Sequence, residues 1–210
     1  MPVEKLLQQG IESLDLKLSD EQFQLLIDYL GLLQKWNKAY NLTAVRDPED
    51  MVTYHLLDSL TLAKHFQQPA LSVIDVGTGA GLPGIVLAIL FPEHRFTLLD
   101  SNGKKTRFLM QAKIELGLDN VDVVNSRVEL FQPDGGFDIV ISRAFTALDN
   151  FANITSHLCA AGGLFYAMKG KYPQQEIELL PESFKVVTID RLLVPGLPDE
   201  RHLVIFKQLR

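Results

Sequence analysis

A glycine-rich segment at residues 73–84 limits the fold of this chain more than any other feature. It has the sequence VIDVGTGAGLPG, in which an apolar run leads into three closely spaced glycines, Gly77, Gly79 and Gly81. A residue without Cβ adopts positive φ at little cost, so a turn built on these glycines brings bare backbone amides against a ligand. A strand, a glycine turn and a helix in this order are typical of nucleotide-binding α/β folds. The segment therefore predicts a nucleoside-binding crevice.

Two acidic residues beside this turn indicate what the crevice binds. Asp100 ends the next apolar run, and an acid at the end of a second strand accepts hydrogen bonds from both hydroxyls of a ribose. Asp75 lies just before the turn, where a carboxylate disfavours a pyrophosphate and favours a cationic sulfonium. Gly79, Gly81 and Gly84 also match the spacing GxGxxG of a pyrophosphate site, so NAD is the alternative ligand. We favour S-adenosylmethionine, and the other interpretation of Asp75 is that it only caps the turn.

The composition indicates one α/β domain with a modest extension. A chain of 210 residues buries a self-sufficient core and needs neither a metal nor a disulfide for stability. The single cysteine, Cys159, excludes an internal disulfide and any multi-cysteine metal site, and it fits a reducing compartment. The first residues have no basic-then-apolar signal layout, and no run reaches about 18 apolar residues. We expect a soluble, cytoplasmic protein.

The charge distribution argues against one class of nucleic-acid binder. The chain has a net charge of −6, whereas proteins that bind nucleic acid without sequence preference are strongly basic. This charge does not exclude a folded nucleic acid as the substrate. Several cations lie at or after predicted strand ends, on the face where open α/β sheets bind ligands: Arg127, Arg143, Lys169 and Lys171. A second group of cations lies at the start of a predicted helix, and we expect their side chains to be exposed to solvent: Lys104, Lys105 and Arg107.

Arg143 needs an explanation of its own, because it follows an apolar strand. A buried guanidinium requires a partner. An ion pair with Glu129 or Asp75 is one interpretation, and a direct contact with a ligand is the other. A position after the fourth strand faces both cofactor and substrate. We predict that Arg143 is the catalytic residue.

Residues 1–66 are predicted to form an N-terminal helical cap. A short helix at 3–15 comes first, and Ser19 and Gln22 then have the spacing of a capping box that begins a long amphipathic helix. An Asp-Pro pair begins a third helix. Three such helices cannot bury their apolar stripes alone, so the cap is expected to pack on the rest of the chain, a Rossmann-like domain of residues 67–210.

The second part of the chain alternates strands and helices. Strands are predicted at 71–76, 95–100, 121–125, 136–141 and 162–168, with helices at 82–91, 102–117, 147–158 and 173–180. Two closing strands at 184–190 and 202–208 have no helix between them. The pattern predicts an α/β fold with a seven-stranded, doubly wound, mostly parallel sheet that ends in an antiparallel hairpin. This ending favours a methyltransferase topology over a dinucleotide-binding one.

The end of the fourth predicted strand indicates what the methyl acceptor is. It reads ISRA, where nucleic-acid methyltransferases that act on an exocyclic amine have NPPY or DPPY. Methylation of a pyrimidine carbon requires an enzyme thiolate, and Cys159 is better explained as a small buried residue. The remaining kind of acceptor is an atom that is nucleophilic without activation by the enzyme. Nitrogen 7 of guanine has an exposed lone pair and no proton to lose, so transfer to it requires alignment and no general base.

Seven segments in a fixed order cover nearly all of the chain. They are WNKAYNLTAVRDPEDM, HLLDSL, VIDVGTGAGLPGI, LLDSNGKKTRFL, SRVE, ISRAF and ERHLV. In these segments the chain resembles the RsmG family, also called GidB, of bacterial 16S ribosomal RNA methyltransferases that act on nitrogen 7 of guanine. The resemblance implies the class I S-adenosylmethionine-dependent methyltransferase fold. It also implies methyl transfer to guanine 527, in the 530 loop of that RNA.

The resemblance further implies the site residues and the partners. The implied S-adenosylmethionine contacts are Gly77, Leu82, Val128, Glu129 and Arg143, and the logic of the fold adds Asp75, Gly79 and Asp100. No metal is expected. The implied substrate is 16S ribosomal RNA or a 30S particle, with no membrane and no obligate protein partner. An NAD(P)-dependent reductase and a non-catalytic nucleotide-sensing adaptor are the alternative functions.

Polar and aromatic residues in the cap have two interpretations. In WNKAYNLT, one side of a helix carries Trp36, Asn37, Tyr40 and Asn41. They can stack on or hydrogen-bond an RNA base, or they can dock the helix on the sheet domain, with Asn41 ending the helix. We expect docking for Trp36 and leave both interpretations open for the asparagines. On the next helix, His55 and Asp58 either face the crevice or are ordinary core or surface groups.

Overall fold

The structure of the chain, a computed structural model, describes residues 2–144 and 146–209. Phe145, the last residue of the ISRAF segment, lies outside the described residues. The described strands are β1 Ser72–Val76, β2 Arg95–Asp100, β3 Val121–Asn125, β4 Phe137–Arg143, β5 Cys159–Lys169, β6 Phe184–Arg191 and β7 His202–Gln208. The described α-helices are α1 Val3–Ser13, α2 Asp20–Tyr40, α3 Pro48–Met51, α4 Asp58–Leu60, α5 Gly84–Leu90, α6 Gly103–Glu115, α7 Leu148–Thr155 and α8 Gln174–Glu178. The strands lie where the alternating pattern predicts them, with small differences at their ends.

The strands form one sheet in the order β3-β2-β1-β4-β5-β7-β6. Strands β1 to β5 run parallel, and β7 runs antiparallel to both of its neighbours. The predicted seven-stranded sheet with an antiparallel terminal pair is therefore confirmed. Because β7 runs in the reverse direction, its first residue, His202, pairs with Lys169 at the end of β5. The start of β7 thus lies at the same edge as the carboxyl ends of the parallel strands, where ligands bind in such sheets.

The long cap helix begins and ends as its sequence predicts. The Ser19 hydroxyl accepts a hydrogen bond from the Gln22 amide at 3.1 Å, and the Gln22 side chain accepts one from the Ser19 amide at 3.0 Å. These two bonds form the predicted capping box. At the other end Asn41 adopts a left-handed conformation with φ 50°, which asparagine tolerates better than most residues.

The third cap helix contains a feature that its sequence did not predict. Asp47 caps its start, and Pro48 stands in the first turn, as expected. From Val52 to Leu57 the backbone then widens into a π-helix before the α-helical turn at Asp58–Leu60. Segments of this kind are rare and occur frequently at functional sites. Here the π-helix contributes Tyr54 and His55 to the ligand edge of the sheet.

The cap packs against one face of the sheet domain. Leu7 and Leu30 of the cap belong to the same cluster of buried residues as Ile85 and Phe108, which lie on the helices that cover this face. The Tyr29 hydroxyl donates a 2.7 Å hydrogen bond to the carbonyl oxygen of Ala80, within the glycine turn. The division at residue 66 stays a prediction. Within the described residues, no helix is both long and apolar enough to cross a lipid bilayer.

Candidate active site

Two adjoining cavities open at the carboxyl edge of the parallel strands. The first has a volume of about 370 Å³, and its lining includes Gly77, Asp100, Val128 and Glu129. The second has a volume of about 550 Å³, and its lining includes Gly77, Gly79, Leu82 and Arg143. Gly77, Lys105 and Ala144 line both cavities and mark their junction. Seven of the eight predicted site residues therefore lie at one continuous crevice, and Asp75 is the exception.

The glycine turn adopts the backbone conformation that its sequence predicts. Gly77, Gly79 and Gly81 have φ values of 66°, 64° and 90°, which only glycine adopts without strain. The Gly79 amide donates a 3.0 Å hydrogen bond to Oδ2 of Asp100, and the Asn102 amide donates a 2.8 Å bond to Oδ1 of the same carboxylate. Asp100 thus connects the turn to β2 at the edge of the first cavity.

Asp75 lies behind the turn and does not line either cavity. Its side chain is fully buried, and its Oδ2 accepts hydrogen bonds from the Thr78 hydroxyl at 2.6 Å and the Gly84 amide at 2.9 Å. The geometry matches the interpretation that Asp75 caps the turn, and its contact with the cofactor stays a prediction. Burial raises the pKa of this carboxyl from 3.8 to about 6, against the lowering effect of its two hydrogen bonds.

Lys105 is not the solvated surface cation that its helical position suggested. Its Nζ lies 3.6 Å from Oδ2 of Asp100, and the residue lines both cavities. Helix α6 begins directly after β2, so its first turn points a long side chain back over the crevice. The expectation for Lys105 was therefore wrong, because a helix that follows a strand end contributes its first turn to the ligand edge.

The cap contributes a loop to the second cavity, through Leu42, Thr43 and Val45. Asn37 is buried and fixes this loop: its side-chain amide donates to the Val45 carbonyl at 3.2 Å, and its side-chain oxygen accepts from the Thr43 amide at 2.9 Å. Asn41 instead accepts a 2.9 Å bond from the Arg46 guanidinium. Both asparagines of the WNKAYNLT segment therefore organise the cap itself.

Trp36 docks the cap on the sheet domain, as expected. Its ring stacks on Tyr40 at a centroid distance of 5.1 Å and lies 5.9 Å from the ring of Phe108 on α6. All three rings belong to, or pack against, the main core cluster. Aromatic contacts of this kind stabilise a helix on its neighbours.

His55 faces the crevice and forms part of the second cavity. Its Nε2 lies 2.9 Å from the Thr43 hydroxyl, which ties the π-helix to the loop. Burial and the nearby charge of Arg143 lower the pKa of His55 from 6.5 to about 4. The imidazole is therefore neutral at physiological pH.

We expect the variant His55→Gln to be less sensitive to acid than the wild type. Because the pKa of His55 is lower in the folded state than in the unfolded state, stability is lost as the pH falls from 6.5 towards 4. Between pH 7 and pH 5 the wild type should lose roughly 2 kcal/mol relative to the variant. Urea unfolding at both pH values measures the difference, with the exposed His157 replaced by Gln as the control. Equal acid sensitivity in wild type and variant would contradict this prediction.

Arg143 forms an ion pair, but with neither of the two partners proposed from the sequence. Its Nη1 donates to Oδ2 of Asp58 at 3.1 Å and to the carbonyl oxygen of Tyr54 at 2.9 Å. Glu129 is exposed at the first cavity, and the Asp75 carboxylate accepts hydrogen bonds from Thr78 and Gly84 instead. The predicted partners were wrong because the cap, whose position the sequence does not fix, brings a buried carboxylate over the end of β4.

Sequence reasoning also missed Arg201, the residue directly before β7. Its Nε lies 3.2 Å from Oδ1 of Asp58, and it lines the second cavity. The signal was available in the two closing strands, which predict an antiparallel pair at the end of a parallel sheet. A last strand that runs against the parallel strands begins beside their carboxyl ends, so the residue before it lies near the ligand site. Asp58, which is 2% exposed, thus faces two arginines that lie at different strands, Arg143 at the end of β4 and Arg201 just before β7.

Among the other predicted cations, Lys169 also reaches the crevice. It lines the second cavity, and its Nζ donates 2.7 Å bonds to the carbonyl oxygen of Thr146 and to Glu176. Glu176 in turn accepts a 2.8 Å bond from the Leu148 amide at the start of α7. These contacts hold the chain that follows β4. Arg127 lines the first cavity, and Lys171 is exposed.

Comparison with known proteins identifies the family. The family model described as rRNA small subunit methyltransferase G matches residues 22–204. The chain belongs to this family. The Ribosomal RNA small subunit methyltransferase G of Pseudomonas paraeruginosa is 54% identical over 202 residues, which cover 96% of this chain and 94% of that protein. The protein with the same name from Ectopseudomonas mendocina is 53% identical over 200 residues, with 95% and 94% covered.

Solved structures show the fold of this small subunit methyltransferase G family member. A SAM dependent methyltransferase from Aquifex aeolicus superposes with a TM-score of 0.61 at 18% identity, over 82% of this chain and 96% of that one. The glycopeptide N-methyltransferase MtfA, solved with S-adenosylmethionine, gives a TM-score of 0.63 at 13% identity, over 74% and 95%. At such identities the likeness concerns the fold alone. It confirms the predicted class I methyltransferase fold.

Proposed function

We propose that this protein transfers the methyl group of S-adenosylmethionine to ring nitrogen 7 of a guanine in bacterial 16S ribosomal RNA, namely guanine 527 in the 530 loop. One observation carries the proposal: two cavities meet at Gly77 and Ala144 beside the glycine turn. A methyl donor in one cavity and an acceptor base in the other would meet there. The names of the relatives support ribosomal RNA as the substrate. The proposal implies action in the cytoplasm, where bacterial ribosomes are made, and needs no obligate protein partner.

The residues of the first cavity fit S-adenosylmethionine. Asp100 offers a nearly buried carboxylate that suits the two ribose hydroxyls. Val128 offers an apolar surface for adenine, and Glu129 a polar edge. At Gly79 a Cβ would meet no atom closer than 3.9 Å, so the backbone of the turn is open to a ligand. The cofactor would supply an electrophilic methyl group on a sulfonium.

The second cavity has walls that suit a base. Leu42, Val45 and Leu82 provide apolar surface, and the neutral ring of His55 adds no charge. Nitrogen 7 of guanine attacks through its own lone pair, so the residues of the cavity need only orient the base and exclude water. Arg143, which we propose as the catalytic residue, is fixed at the end of β4 by its bonds to Tyr54 and Asp58.

The proposal is tested by locating the methyl group. Purified protein and labelled S-adenosylmethionine are incubated with deproteinised 16S ribosomal RNA, and in parallel with 30S particles, both from cells that lack the modification. Mass spectrometry of the RNA then identifies the modified nucleotide. We expect 7-methylguanosine at position 527, and comparison of the two arms shows which substrate form is preferred.

Calorimetry separates the alternatives. Binding of S-adenosylmethionine without binding of NAD(P)H supports the methyltransferase, and the reverse pattern indicates a reductase. Tight cofactor binding with no methyl incorporation into either RNA substrate overturns the proposal in favour of an adaptor. Methylation of another atom or another nucleotide would show that the assigned acceptor is wrong, although the protein would still be an RNA methyltransferase.

A further inference from the structure

Two arginines share one buried carboxylate on the wall of the second cavity. Asp58 pairs through Oδ2 with Nη1 of Arg143 at 3.1 Å, and through Oδ1 with Nε of Arg201 at 3.2 Å. Arg201 Nη1 also donates a 2.8 Å bond to the carbonyl oxygen of Glu200. Both guanidinium groups are thus held in place before any ligand arrives. Both side chains are 22% exposed, so they keep a surface towards the cavity that they line.

The charges of this cavity do not balance. Its lining includes four cations, namely Lys105, Arg143, Lys169 and Arg201. The two lysines have carboxylates of their own: Lys105 lies 3.6 Å from Asp100, and Lys169 lies 2.7 Å from Glu176. The two arginines have only Asp58 between them among the described residues. One positive charge is therefore available for an anionic ligand.

We propose that Arg201 binds a phosphate group of the RNA backbone next to the target guanosine. This inference rests on the proposed function, because it assigns the RNA side of that same site. A planar guanidinium matches a phosphate in both charge and geometry. A base that leaves its stack to enter an enzyme pocket brings its own phosphate to the mouth of the pocket. Arg201 lines the second cavity and not the first, on the side of the proposed acceptor.

The reaction itself favours a phosphate over a contact with the base. When nitrogen 7 forms its bond to carbon, the carbon–sulfur bond breaks and the positive charge of the sulfonium moves to the guanine ring. An unpaired guanidinium facing that ring would oppose the transfer. A phosphate bound to Arg201 removes this opposition, because it neutralises the spare charge.

The test compares the full-length wild type with Arg201→Ala, Arg201→Lys and the control Arg95→Ala. Arg95 is exposed at the start of β2, on the opposite edge of the sheet, so its replacement removes one positive charge away from the crevice. Calorimetry gives the Kd for S-adenosylmethionine. Steady-state kinetics give kcat and KM for the RNA substrate that the wild type prefers. Fluorescence anisotropy with 16S ribosomal RNA, at several salt concentrations, gives the salt dependence of RNA binding without turnover.

For Arg201→Ala we expect the KM for RNA to rise roughly 10- to 100-fold. The slope of log K against log salt should fall by about 0.7, the value for one phosphate contact to a single strand. The Kd for S-adenosylmethionine should stay within about twofold of the wild-type value, because Arg201 lines the cavity proposed for the acceptor. If Arg201 made a charged contact to the cofactor itself, the loss of that contact would raise this Kd far more. Arg201→Lys should keep the wild-type slope, because it keeps the charge, and Arg95→Ala should keep the wild-type KM and slope.

Three outcomes would overturn the inference. An Arg201→Ala variant with wild-type KM and slope has lost no phosphate contact. A variant whose affinity for S-adenosylmethionine falls in parallel with its RNA affinity places Arg201 at the cofactor. An Arg201→Lys variant whose salt slope for RNA binding falls below that of the wild type shows that Arg201 does not act through its charge. If the alanine variant does not fold, this lysine variant provides the test of the inference. Failure of the proposed function would appear differently, as a wild type that methylates no guanine.

Discussion

Replacing Gly77 with valine should abolish binding of S-adenosylmethionine, with a rise in Kd of about 100-fold or more, equivalent to roughly 3 kcal/mol. Gly77 has φ 66° and lies at the junction of the two cavities. A β-branched residue is strained at this φ, by about 1–2 kcal/mol relative to glycine. Its side chain would also occupy space at the point where donor and acceptor must meet. We expect methyl transfer to be lost with the cofactor.

Gly117→Val is the matched control for this experiment. Gly117 has φ 62°, and a Cβ built there meets no atom within 4 Å. The control therefore carries the same backbone strain far from the crevice, and it should lose stability while keeping its affinity for the cofactor. Calorimetry of both variants, with thermal unfolding to record stability, separates strain from occlusion. A Gly77→Val protein that binds S-adenosylmethionine as the wild type does would show that the cavity junction is not part of the cofactor site.

Replacing Asp75 with alanine should weaken cofactor binding, whereas replacing it with asparagine should not. Alanine removes the acceptor of the buried Gly84 amide and the Thr78 hydroxyl, and an unsatisfied buried donor costs about 1–3 kcal/mol. The glycine turn then loses its anchor, and we expect affinity for S-adenosylmethionine to fall by at least about tenfold. Asparagine keeps an acceptor oxygen at the same place, so the turn and the cofactor affinity should be retained.

The asparagine variant also has a pH signature. The pKa of Asp75 is higher in the folded protein, at about 6, than its ordinary value of 3.8. An acid with a raised pKa contributes stability at low pH that is lost as the pH rises from about 4 through 6. Asp75→Asn lacks this dependence, so between pH 4 and pH 7 the variant should gain roughly 2 kcal/mol in free energy of unfolding relative to the wild type.

Denaturant unfolding of wild type, Asp75→Asn and Asp75→Ala at pH 4, 5.5 and 7 tests both parts. The solvent-exposed carboxylate of Asp122 provides the control, as Asp122→Asn, which should follow the wild-type pH dependence. Parallel pH curves for wild type and Asp75→Asn would contradict the buried-charge explanation. A loss of cofactor affinity in Asp75→Asn would instead favour the original idea that the negative charge itself attracts the sulfonium.

Local signals predicted the elements of this fold. The capping box at Ser19 and Gln22 and the left-handed cap at Asn41 involve residues close in sequence, and each has a local physical cause. The glycine turn and the Asp100 that follows it also lie within one strand–turn–helix–strand unit, so their relation follows from local geometry. The absence of a helix between the last two strands was enough to predict their antiparallel pairing.

Contacts between distant segments account for the error about the partners of Arg143. Arg143 and Asp58 are 85 residues apart, and nothing in either segment indicates that the cap crosses the end of β4. The π-helix at Val52–Leu57 has no distinctive sequence, yet it supplies the Tyr54 carbonyl that also holds Arg143. Lys105 was misjudged for a simpler reason, since its surroundings depend on which way the first turn of α6 faces.

The sequence alone determined the class of fold, the position of the glycine turn and the family, because these depend on periodicity, on backbone freedom at Gly77, Gly79 and Gly81, and on motifs that are continuous in the chain. Only the tertiary structure decided which charges meet. It placed Asp58 between Arg143 and Arg201 and put Asp75 behind the turn. Ion pairs depend on distances of a few ångströms between segments far apart in the chain, and such distances are set by packing rather than by local pattern.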